Sequence, residues 1–173
     1  RSSHKGIFVF ICDNIAAQIN EVHYNGFDLY GNSGIELQNV ENSAFYSNTV
    51  DGQTQNNLIP AGFNASFSPL NIYCCNDVDF TAFGFVFTSD CDKSIWRQNF
   101  LKNHFRALFI QSGSYFGRQP NYGPGLRTSP GNQWSSSIYP NSGGFHAYNG
   151  NGAGSALTQL SNIFPQTCNS PYW

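Results

Sequence analysis

Few residues in this chain of 173 could do chemistry, because only 10% are charged and the net charge is -2. The carboxylates fall in suggestive places. Asp77 and Asp79, and likewise Asp90 and Asp92, are spaced two apart, which in a strand puts both partners on one face. Three carboxylates, Asp13, Glu41 and Asp92, together with Asn76, follow a small residue in a recurring pattern and would stack if the pattern were structural. Such a column could bind a hard cation, calcium being the ion that oxygen donors of this kind select. It could also supply the two carboxylates of glycoside hydrolysis. The competing reading is that these Asx residues simply make turns. Trp134, Tyr139 and Tyr148 are candidates for stacking on sugar rings. The histidines, His4, His23, His104 and His146, are widely spaced, and no Gly-x-Ser-x-Gly elbow marks a nucleophile. Five cysteines (Cys12, Cys74, Cys75, Cys91 and Cys168) show no zinc spacing and read as buried thiols, with disulfides as the alternative.

Elements able to position these groups must be β. Hydrophobic residues are 40% and aromatics 16%, too many for a disordered chain. Asn is unusually frequent, with 21 residues, which implies many tight turns. The weak charge excludes a nucleic-acid binder, which needs a basic footprint. Residues 6–11 are apolar but too short to span a membrane. With no Met in the chain, Arg1 is not an initiator, and the sequence reads as part of a longer polypeptide.

A repeat organises the first hundred residues. Segments beginning at Cys12, Val40 and Cys91 share a small apolar residue, an acid, six mixed residues and an Asn at the ninth place; Cys75 begins a partial copy. Strands are expected upstream at residues 6–11, 34–37, 71–74 and 82–88, with a last one at 106–111. Stacked coils would align Cys12, Val40, Cys75 and Cys91 as an inward ladder, and Asn20, Asn48 and Asn99 as an Asn ladder. Residues 51–69 would bulge out as a loop. A β-sandwich is the alternative, but it does not predict one turn signature recurring at a fixed offset. The expected fold is all-β, a right-handed parallel β-helix (a single-stranded solenoid) over residues 1–111. Residues 112–173, rich in Gly, Pro, Asn and aromatics, read as a loop-rich capping segment and tail.

The stretch 34–50 resembles the parallel β-helix repeat of the pectin-lyase-like superfamily. Residues 131–134 and 143–148 are similar to segments of large surface β-helix proteins from Bacteroidetes-type bacteria. The resemblance implies a bacterial protein that is secreted or on the cell surface, with polysaccharide as partner. It does not fix an activity, because stalks, adhesins, hydrolases and lyases share this fold. The hydrolase motifs Asn-Thr-Asp, Asp-Asp, Gly-His-Gly and Arg-Ile-Lys are all missing. Lyases of this fold use Lys or Arg as base, which would give that role to Lys93, Arg97 and Arg106, near Lys102 and His104. The alternative for this basic cluster is a solvated outer face. On balance the sequence points to a non-catalytic stalk, adhesin or carbohydrate-contacting scaffold, with a polysaccharide lyase as the second reading. No cofactor is expected beyond the calcium that the carboxylate column could take.

Overall fold

The computed structural model describes residues 5–23, 33–52, 59–116, 132–134 and 145–149. Among these there is no helix, and every strand pairing is parallel. The chain runs β1 (Lys5–Asp13), β2 (Ala16–Gln18) and β3 (Glu21–His23), then repeats with β4 (Ser33–Glu41), β5 (Ala44–Tyr46) and β6 (Thr49–Asp51). A third round has β7 (Ile59–Ser66), β8 (Ile72–Cys74) and β9 (Asp77–Asp79). The fourth has β10 (Thr81–Thr88), β11 (Ile95–Arg97) and β12 (Phe100–Leu101). Three further strands follow: β13 (His104–Ile110), β14 (Gln133–Trp134) and β15 (Phe145–Asn149). Each full round places one strand in each of three sheets, ordered β1-β4-β7-β10-β13-β15, β2-β5-β8-β11 and β3-β6-β9-β12-β14. This arrangement is compatible with a parallel β-helix.

The register corrects the repeat expected for the third round. Gln38 pairs with Ser66, so Val40 stands beside Ser68, and its amide donates to Ser68 Oγ at 3.2 Å. Ser68, not Cys75, continues the column from Cys12 and Val40. Asn76 accordingly leaves the acidic column and joins the Asn ladder. The segment expected to bulge contains strand β7, and residues 71–74, expected to be the upstream strand, lie in the second sheet. Ile59–Ser66 has little β propensity of its own, with a proline, a glycine and two alanines. Pairing on both sides with β4 and β10 imposes the extended form.

Two columns fix the rounds. Asn20 Nδ2 donates to Asn48 Oδ1 at 2.8 Å, Asn48 to Asn76 at 2.9 Å, Asn76 to Asn99 at 2.8 Å, and Asn99 to Asn132 at 3.0 Å. Each Oδ1 from Asn48 onward also accepts its predecessor's backbone N–H, at 3.2, 3.1, 3.1 and 2.9 Å in order. The second amide hydrogen of Asn48, Asn76, Asn99 and Asn132 goes to the carbonyls of Ala17, Phe45, Tyr73 and Trp96. Asn48, Asn76 and Asn99 are fully buried, so an Asn column is stable only because these bonds are made.

The other column is Gly34 and Gly62 with their equivalents Gly6 and Gly84. A Cβ on Gly62 would lie 2.4 Å from Val78 Cγ1 and 2.7 Å from the Gly84 carbonyl oxygen. These positions let the third sheet close onto the first. Around them the interior is aromatic: Phe63 and Phe85 stack at 4.5 Å between centroids, and Trp96 meets Phe85 edge-on at 5.5 Å.

Bends between sheets are made by single residues with left-handed backbone. Asn14, Asn42, Leu70 and Lys93 occupy one corner; Ile19, Ser47, Cys75 and Gln98 occupy the next. Only part of this set is Asn, the residue that adopts this conformation most easily. Ile19, Ser47, Leu70 and Cys75 are held by backbone bonds to the next round, such as the Leu70 amide to the Asp92 carbonyl oxygen at 2.9 Å.

Candidate functional site

The third sheet carries charged and polar side chains on its outer face. Its short strands turn one central residue inward: Val22, Val50, Val78 and Leu101 are all buried. The flanking residues therefore face out, and registration stacks them. Glu21, Thr49, Asp77, Phe100 and Gln133 form one outer column; His23, Asp51 and Asp79 form the other.

Lys102, which follows β12, closes over this face. Its Nζ lies 3.0 Å from both Asp77 oxygens and 4.0 Å from Asp79 Oδ2. Asp79 Oδ1 also accepts from Asn103 Nδ2 and from the Phe80 amide, each at 2.8 Å. His23 stands 3.7 Å from Asp51 and 3.5 Å from Glu21. Lys102 sits 4.9 Å from the centroid of the Phe100 ring, which is 37% exposed. Asp77 and Asp79 do share one face, but they are held as hydrogen-bond acceptors by a cation and an amide. The surface thus offers oriented acceptors and donors beside an aromatic ring.

The column proposed for calcium is not assembled. Asp13 pairs with Glu41 and accepts from Asn42 Nδ2 at 3.1 Å. The next place in that column is Pro69, which separates Glu41 from Asp92 by a whole round, and Asn76 lies elsewhere. Among the described residues no group of three or more His, Cys, Asp or Glu is placed to hold a metal ion. Asp90 accepts from the Asp92 amide at 3.0 Å, the Asx turn that was the competing reading.

The basic cluster is dispersed as well. Lys93 is at an exposed corner, Arg97 is on the second sheet beside Cys74, and Arg106 is on the first sheet. The Arg106 guanidinium lies 5.2–5.9 Å from the ring centroids of Phe83, Phe105 and Phe109. Lys102 faces out from the third sheet, and His104 is fully buried. The candidate bases Lys93, Arg97 and Arg106 thus share no sheet. For the stacking candidates, the backbones of Trp134 and Tyr148 lie in β14 and β15; their side chains, and all of Tyr139, fall outside the described residues.

Cys12, Cys74, Cys75 and Cys91 are free thiols. Cys91 is fully buried, and that burial raises its thiol to about 11. Cys74 and Cys75 differ: their sulfurs are 3.1 Å apart at a corner of the second sheet.

Sequence reasoning missed Phe100 and the thiol pair as sites. A signal existed for the first, because Val22, Val50 and Val78 recur at intervals of 28 with polar neighbours on both sides.

Among the described residues no helix is long and apolar enough to cross a membrane. Compared with known family models, curated proteins and solved structures, the chain matches none of them.

Proposed function

We propose that this chain is a right-handed parallel β-helix of the pectin-lyase-like kind. In this reading it is a non-catalytic segment of a secreted or cell-surface bacterial protein, and it contacts polysaccharide through the outer face of its third sheet. Parallel crossovers within one sheet are nearly always right-handed, which supports that hand. The observation that carries the functional reading is the half-exposed Phe100 ring beside Asp77, Asp79, Lys102 and Asn103. Sugars present an apolar ring face and a rim of hydroxyls, and this surface has a counterpart for each. Repetition along the stack suits a repeating polymer.

Calorimetric titration with neutral and acidic polysaccharides tests the proposal. Loss of one stacking ring removes about 1 kcal/mol, so Phe100→Ala should weaken binding about fivefold. Unchanged affinity in that variant, or no binding to any polysaccharide by the folded chain, would overturn it.

A further inference from the structure

We infer that Cys74 and Cys75 form a redox modification site, a vicinal dithiol that closes reversibly to an intramolecular disulfide by exchange with a small-molecule disulfide. The two side chains are brought together by the corner. Cys74 ends strand β8, and Cys75 takes a left-handed backbone with φ of 60°. The sulfurs thereby stand 3.1 Å apart, in contact but unbonded. Cys74 is buried, at 7% exposed, and Cys75 beside it is half-buried, so a small reagent reaches the pair from the Cys75 side.

The surroundings favour attack. A hydrogen bond from Cys75 lowers the Cys74 thiol to about 7, burial opposes this, and the Arg97 guanidinium alongside adds to the lowering. Gln98 Oε1 lies 3.5 Å from Cys74 Sγ and 3.8 Å from Cys75 Sγ, on the adjacent round.

In the first step the Cys74 thiolate attacks one sulfur of the small disulfide. A Cys74–S bond forms, the small disulfide's S–S bond breaks, and one small thiolate leaves. Cys75, having lost its proton, then attacks Cys74 Sγ and expels the second small thiolate. The protein loses two electrons and two protons, and the small disulfide becomes two thiols. Neighbouring Cα atoms are only about 3.8 Å apart, below the usual span of a disulfide, so the closed ring is strained and readily reduced.

The test is incubation of the full chain with oxidised glutathione at neutral pH, followed by intact-mass measurement and peptide mapping. The expected product has lost two hydrogens at the pair, carries no glutathione on Cys74 or Cys75, and maps to an intramolecular Cys74–Cys75 bond that dithiothreitol reopens. It should form at least about tenfold faster than any adduct at Cys91, whose thiol is largely protonated. Cys75→Ser should instead accumulate a stable glutathione adduct at Cys74. A persistent adduct at Cys74 or Cys75 of the unmodified sequence, or a pair that stays reduced while Cys12 or Cys91 reacts, would overturn the inference.

Discussion

Asn76→Ala should lower the unfolding free energy by about 4 kcal/mol, since each buried polar group left unpaired costs about 1–3 kcal/mol. The truncation orphans the Asn48 amide N–H, one hydrogen of the Asn48 side chain, and the bond to the Phe45 carbonyl. Asn76 and its neighbours Asn48 and Asn99 are fully buried, away from solvent that could replace these bonds. Asn20→Ala makes the contrast. Asn20 is half-buried at the first round, and its truncation removes only a donor to Asn48 Oδ1, for about 1 kcal/mol. Urea unfolding of the two variants measures the difference. Equal losses would mean that the amides do not form a column.

Gly62→Ala should cost about 3 kcal/mol, at the upper end for overpacking. Its new methyl would collide with Val78 Cγ1 and with the Gly84 carbonyl. The first obstacle is removable and the second is backbone. Adding Val78→Ala should therefore relieve the clash in part, and the double variant should fall short of the summed losses by about 1 kcal/mol. Strict additivity in thermal or urea unfolding would place the third sheet away from this glycine.

The β class, the stacking of rounds and most of the Asn ladder were legible because they rest on residues with one structural use. The third round was misread for a specific reason. Its small residue at the start of the unit is Ser68, a polar group whose oxygen takes the Val40 amide, whereas an apolar residue was sought. Gly6, Gly34 and Gly62, like Asn20, Asn48 and Asn76, recur at intervals of 28 and would have set the register. The third round is shorter because Phe80 alone joins β9 to β10, where residues 24–32 and 52–58 close the first two rounds. The basic cluster misled for a geometric reason. Fourteen residues cover more than half of a 23-residue round, so sequence neighbours are distributed over all three sheets. Proximity of charges along a solenoid chain has meaning only at the spacing of a full round. The thiol pair was invisible as a site because its geometry depends on the left-handed corner at Cys75, a position filled by Ile19, Ser47 and Gln98 in the other rounds.

A single incubation tests the claim of a non-catalytic polysaccharide contact most directly. The folded chain, beside Phe100→Ala, is mixed with pectate, alginate and glycosaminoglycans, with and without calcium. Retention on each polymer is followed together with the ultraviolet absorbance of unsaturated uronate product. Retention that Phe100→Ala weakens is expected, with no product under any condition. Product released by the chain, or retention indifferent to Phe100, would contradict it.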